Sequence, residues 1–136
     1  MLTLTDAMNV AASGMIAQSV RLNTIASNMA NAESVAGSAD GIYKAKVPVF
    51  ESIYLHEGSK AQGVIASKII NSDAPALAIY SPNHPKADEN GFIYKSNVNK
   101  IEQIADMTSA QQSFESNVEV QKAAKQLLMQ SIKALK

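Results

Sequence analysis

The chain has 136 residues, no net charge, no cysteine, and an aromatic share of only 5% with no tryptophan. Neutrality removes the electrostatic case for binding nucleic acid or an anionic membrane surface. The absence of Cys excludes disulfides, thiolate metal sites and a thiol nucleophile, while the length suffices for one domain with a core.

The first stretch, Leu4 to about Ala32, has Leu4, Met8, Ala11, Met15, Gln18, Leu22, Ile25 and Met29 recurring four and three residues apart. Such spacing is the seam of a helix that packs along another helix. Thr3 and Thr5 are the candidate N-caps, with Asp6 adding negative charge to the first turn. Between Asp6 and Glu33 the only ionisable side chain is Arg21, whereas a helix with water on its far side normally carries Lys and Glu there. The small uncharged residues Ala12, Ser19, Ala26, Ser27 and Ala30 form a second face suited to contact between subunits. Most of this helix is therefore expected to be buried, and by more than its own chain. Gly14 costs ~1 kcal/mol relative to Ala in mid-helix, which makes it a candidate for close approach. Asp6 and the interruptions at Asn9, Ser13, Gln18 and Ser19 are unlike a cleaved signal peptide, and no run of ~18 apolar residues spans a bilayer.

The helix should stop between 31 and 34, because residues 35–41 have turn chemistry without apolar period. Residues 42–55 then read as a strand, with Pro48 marking an edge or bend. A turn over 57–63 leads to a second strand over 64–71, and the two make a β-hairpin. Residues 73–90 are loop-like, with a short strand expected at 77–80. Asn90-Gly91 turns the chain into Phe92-Ile93-Tyr94.

From about Val98 to Leu135 the chain is helical again, capped by Ser96 or Asn97, with Ile104, Met107, Ala110, Phe114, Val118, Gln121, Ala124, Leu128, Ile132 and Leu135 in one stripe. The packing partners expected across the pair are Leu4, Met8, Met15, Leu22, Ile25 and Met29 against Phe114, Val118, Leu128, Ile132 and Leu135. At 1.5 Å per residue the two helices run ~43 and ~55 Å, longer than the roughly 35–40 Å width of a compact globule of this size. The fold class expected is α+β. Long N- and C-terminal helices (1–34 and 97–136) pair antiparallel as a coiled-coil-like rod, with a small β-hairpin and loop region (35–96) between them.

Nothing in the sequence points to catalysis, a metal or a cofactor. His56-Glu57-Gly58 lacks the second His of a metalloprotease helix, and His84 sits between Pro82 and Pro85 in a loop. Two histidines are too few for a His-rich metal site. Asp88 and Glu89 belong to a solvated turn. Neither a phosphate-cradling loop nor a nucleophile elbow is present.

Two stretches carry a resemblance. Ser27-Asn28-Met29-Ala30-Asn31, followed by Gly41-Ile42-Tyr43-Lys44-Ala45, resembles the N-terminal signature of bacterial flagellar rod and hook proteins. There an Asn-Leu-Ala-Asn core ends the first helix and a Gly-aromatic-basic step opens the β region. The second stretch runs from Tyr80 through Pro82, His84, Pro85, Asp88 and Gly91 to Ile93, with Asn97-Val98 beyond, and is most similar to the proximal member of the rod. Ser96 stands where the family more often has Pro, and Met29 where it has Leu. Under this resemblance the Asn28 and Asn31 amides would bond free backbone groups at the helix end, Gly41 would take a positive φ, and Tyr43 would cover the helix.

The resemblance implies a structural subunit of the flagellar basal-body rod, exported by the flagellar type III apparatus. It would stack helically on copies of itself, other rod proteins and the basal ring, and carry torque across the periplasm. No nucleic acid, small-molecule substrate or membrane insertion is implied. The competing readings are another axial rod protein, and a membrane-active or adaptor protein built on amphipathic helices.

Overall fold

Thr3 opens the first helix. Its hydroxyl accepts the Asp6 amide at 3.1 Å while its own amide donates to the Asp6 carboxylate at 2.9 Å, a reciprocal cap that satisfies two orphan donors. The Thr3 amide, the Thr3 hydroxyl and then His56 bond the Asp6 carboxyl and hold it below its ordinary range. The computed structural model describes residues 3–58 and 60–135; Ser59, in the expected 57–63 turn, lies outside them. In chain order the elements are α1 (Leu4–Asn31), β1 (Val35–Ala36), β2 (Lys46–Tyr54), β3 (Gln62–Asn71), β4 (Leu77–Tyr80), β5 (Phe92–Lys95) and α2 (Lys100–Ala134). Two long terminal helices with small antiparallel sheets between them make this an α+β chain.

Contacts between the helices step up α2 as they step back along α1. Asn28 donates to Gln103 at 3.0 Å, Arg21 pairs with Asp106, and the Asn117 amide lies across Gly14. A methyl at Gly14 would sit 2.7 Å from Asn117 Nδ2, so the glycine makes room for a crossing side chain. The buried positions are mostly small: Ala11 and Ala17 with Ile25 on α1, Ala110 and Ala124 on α2. Leu4, Met8, Met15, Leu22, Met29, Phe114, Val118 and Leu128 are only half-buried, because two helices alone cannot enclose a stripe of that width.

Three expectations need correction here. Ile132 and Leu135 are exposed, at 47% and 88%. α2 has 35 residues to the 28 of α1, so its last turns, roughly 10 Å at 1.5 Å per residue, run past any partner. Ile104 is exposed as well, and Gln103 turns inward instead. The cap of α2 is Asn99, whose side chain accepts from Ile101 and Glu102. Ser96 and Asn97 are already committed: Ser96 donates its amide to Ser34, while the Asn97 side chain accepts from Ala45 and donates to Ala74, both at 2.7 Å.

β2 and β3 form the expected hairpin, from Lys46↔Asn71 to Tyr54↔Gln62, with a bulge between Val49 and Phe50. In a two-stranded ribbon Pro48 has an open edge for its missing donor. The hairpin seats on α1 where Ser13 Oγ accepts the Val64 amide at 3.1 Å. Gly63 permits this approach: a methyl there would lie 2.7 Å from Leu55 Cδ2 and 2.8 Å from Ser13 Oγ. Gly63→Val should therefore destabilise the chain by about 1–3 kcal/mol through overpacking. The measurement is urea denaturation with amide exchange at Val64; unchanged protection there would contradict this packing.

The other sheet has the order β1-β5-β4. β4 and β5 fall on the expected residues, but β1 lies inside a stretch read as turn. Two residues carry no period, and Val35–Ala36 is extended because β5 offers it an edge at Val35↔Lys95 and Ala36↔Tyr94. Nearby, Lys100 and Lys95 both pair with Glu33 and hold its carboxyl down to about 2. A carboxyl lowered on folding stabilises above its unfolded pKa and loses that contribution as pH falls through its folded one. Acid unfolding followed by circular dichroism should show this loss between about pH 4.5 and 2. Glu33→Gln should flatten the curve there, and an unchanged curve would sink the assignment.

Candidate functional site

Asn28 is the largest side chain that is fully buried among the described residues. Both amide hydrogens are donated, to the Lys46 carbonyl at 2.9 Å and Gln103 Oε1 at 3.0 Å. Its Oδ1 accepts twice, from the Lys46 amide at 2.8 Å and the Tyr43 hydroxyl at 2.9 Å. One residue of α1 thus fixes the start of β2 and the first turn of α2 together. A side-chain amide mimics a peptide group, so it can extend a strand's pairing onto a helix. The backbone it satisfies belongs to β2, not to the helix end as the sequence suggested. Asn31 does act locally, donating to the Ser27 carbonyl at 2.8 Å. Tyr43 reaches the last turns of α1 through its hydroxyl, which also lies 3.1 Å from Ser27 Oγ. Lys44 is exposed. Gly41 does not take a positive φ; among the described residues only Gly58 and Gly91 do. Its amide donates to Ser38 Oγ instead.

The stretch from Tyr80 to Phe92 forms a cap on the β1-β5-β4 sheet. The Asp88 carboxylate accepts the Asn90 and Phe92 amides at 2.9 and 2.8 Å, a turn closed by Gly91 at φ 82°. His84 Nδ1 accepts the Lys86 amide at 3.1 Å, which gives it a turn-stabilising place between Pro82 and Pro85. Lys86 in turn donates to the Val35 carbonyl at 3.1 Å, tying the cap to β1. Tyr94 donates to Asp88 at 3.3 Å, and the neighbouring carboxylate raises the phenol above its ordinary value. Among the described residues no group of three or more His, Asp or Glu could hold a metal ion, and no helix is long and apolar enough to cross a membrane.

The outward flank of α1 is the other feature. Thr5, Asn9, Ala12, Ile16, Ser19, Asn23, Ala26 and Ala30 follow one another at spacings of four and three. All are exposed or half-exposed, and none is charged. Ile16 is 67% exposed at its centre. Of the residues expected on this face, Ala12 and Ser19 are half-buried and Ala26 and Ala30 exposed, while Ser27 turns to Tyr43 of its own chain. Sequence reading passed over Asn9, Ile16 and Asn23, although the same spacing displaced around the helix marks them. It also missed Gln103 and Asn117, whose roles rest on contacts between segments far apart in sequence. The hairpin adds exposed apolar side chains, among them Tyr54, Ile69 and Ile70.

Residues 8–37 match the family model described as flagella basal body rod protein, and residues 89–134 match that of the flagellar basal body rod FlgEFG protein C-terminal region. The chain is 41% identical over 133 residues to the flagellar basal-body rod protein FlgC of Buchnera aphidicola from Acyrthosiphon pisum, covering 96% of this chain and 97% of that one. It is 35% identical over 131 residues to FlgC of Salmonella typhimurium, with the same coverage. Against FlgC of Aquifex aeolicus it is 34% identical over 138 residues, spanning both chains fully.

Proposed function

This chain belongs to the FlgC family of flagellar basal-body rod proteins and is a structural rod subunit of the basal body, and we propose that it assembles into the proximal rod through the uncharged flank of α1. The observation that supports this reading is the run from Thr5 to Ala30, presented outward without one charged side chain and with Ile16 at its centre. Such a surface suits desolvation against a neighbour better than hydration. The contact is heterologous, so each subunit offers one patch and receives another, and the array propagates as a helix instead of closing as a ring or dimer.

In this reading the segments 1–34 and 97–136 are one unit, a coiled-coil-like antiparallel pair, and 35–96 bridges to adjacent subunits. Neighbours include copies of the chain, other rod proteins, the basal ring, and the export apparatus through which the chain leaves the cytoplasm. Its work is mechanical: transmitting motor torque across the periplasm, with no catalysis and no cofactor. Cryo-microscopy of basal bodies built with this chain tests the reading. Density of another subunit should lie against Ala12, Ile16, Ser19, Ala26 and Ala30. Solvent along that flank would overturn it.

A further inference from the structure

α2 carries a second surface, on the side away from α1. No strand packs against it, and its charges are segregated by sign. Glu115 and Glu119 come first, then Lys122, Lys125 and Lys133. The helix dipole does not account for this order, since it acts only within the first and last turns. Glu115 lies about four turns in from the start and Lys122 about three from the end. At 100° per residue Glu115, Glu119, Lys122 and Lys133 share a sector of roughly 60°. All four are exposed. Their one printed pairing within the chain is Glu119 with Lys122 at 3.1 Å, and the facing first half of α1, beyond Asp6, offers no charge to balance the rest.

We propose that this flank docks on the same flank of a second copy, parallel to it and shifted lengthwise, so that Glu115 and Glu119 of one copy meet Lys122 and Lys133 of the other. The two clusters are separated by about ten residues, which sets an axial shift of about 15 Å. Opposite charges then align, while zero shift would place acid on acid and base on base. Met129, half-exposed between the lysines, supplies apolar contact at the centre. The inference rests on the rod reading, because a rod requires an open, parallel and staggered arrangement. An antiparallel pair would match the same charges but would close two-fold and stop growth.

The test uses the full-length chain as the sole copy in flagellated cells. Glu115→Lys with Glu119→Lys, and separately Lys122→Glu with Lys133→Glu, should each abolish swimming while helix content in the purified chains stays unchanged. Combining all four changes restores opposite signs and should restore swimming. Normal swimming by either double variant overturns the proposal, as does failure of the combined variant to recover. A closed dimer of the purified chain that either double reversal dissociates also overturns it. If the unaltered chain is absent from isolated basal bodies, the rod reading itself fails, which is a separate outcome.

Discussion

Cells whose only copy of this chain carries Ala26→Glu will produce a folded subunit and will not swim. Ala26 is exposed in the single chain, so the new carboxylate stays hydrated there, and the stability of the purified protein should move by no more than about 0.5 kcal/mol. On assembly the same carboxylate is carried against a neighbour with no cation near it, because the flank from Thr5 to Ala30 has no charged member. Stripping water from an unpaired carboxylate costs several kcal/mol, enough to reduce a helical contact repeated between copies to nothing. Ala12→Glu should act alike, with some added cost in the single chain because Ala12 is half-buried. Ala26→Ser, which adds a polar atom but no charge, should leave swimming intact. The measurements are swimming in soft agar, subunit in the culture medium, and thermal unfolding of the purified variant. A swimming Ala26→Glu strain would remove the α1 flank from the assembly interface.

The second large effect is expected at Asn28. Asn28→Leu removes both donors and both acceptors at once. The Lys46 amide and carbonyl, the Gln103 side chain and the Tyr43 hydroxyl are then left facing an apolar group. Each unsatisfied buried partner costs about 1–3 kcal/mol. Relaxation and water entry will spare some of these, so a total loss near 3–5 kcal/mol is expected. Exchange protection at the Lys46 amide should collapse together with that stability. Tyr43→Phe takes away one donor only and should cost about 1 kcal/mol. Asn28→Asp keeps the acceptors but sets a carboxylate beside the Lys46 carbonyl and Gln103 Oε1, so it should destabilise strongly at neutral pH and less in acid. A loss below 1 kcal/mol for Asn28→Leu would show that the hub is incidental to the fold.

Much of the architecture was legible because it depends on local pattern. The 3.6-residue period of both helices, the strand, turn and strand of the hairpin, and the Asn90-Gly91 turn each express the conformational preference of neighbouring residues. What misled was length and partner. The stripe on α2 continues unbroken through Ile132 and Leu135, and nothing in it reveals that α1 ends first. Asn97 looks like a cap by type and place, yet its amide is committed to Ala45 and Ala74, 52 and 23 residues away. Gly41 looks like a residue kept for a positive φ; the turn it sits in does not use one.

The candidate site divides along the same line. A nearly charge-free first helix and a sign-segregated last one are properties of the residues themselves, present before any folding, and both surface proposals begin there. Only the folded chain decides which face of α1 is outward. Ser13 and Val64 seat the hairpin on one side and Gln103, Asp106 and Asn117 hold α2 on another, leaving the flank of Ile16 and Ala26. The meaning of Asn28 is tertiary in the same sense. An isolated asparagine near a helix end is an ordinary residue; it becomes a hub because the backbone of Lys46 and the side chain of Gln103 reach it from 18 and 75 residues away. Local preference follows from covalent neighbours, whereas burial and hydrogen-bond partners follow from where distant segments are brought together.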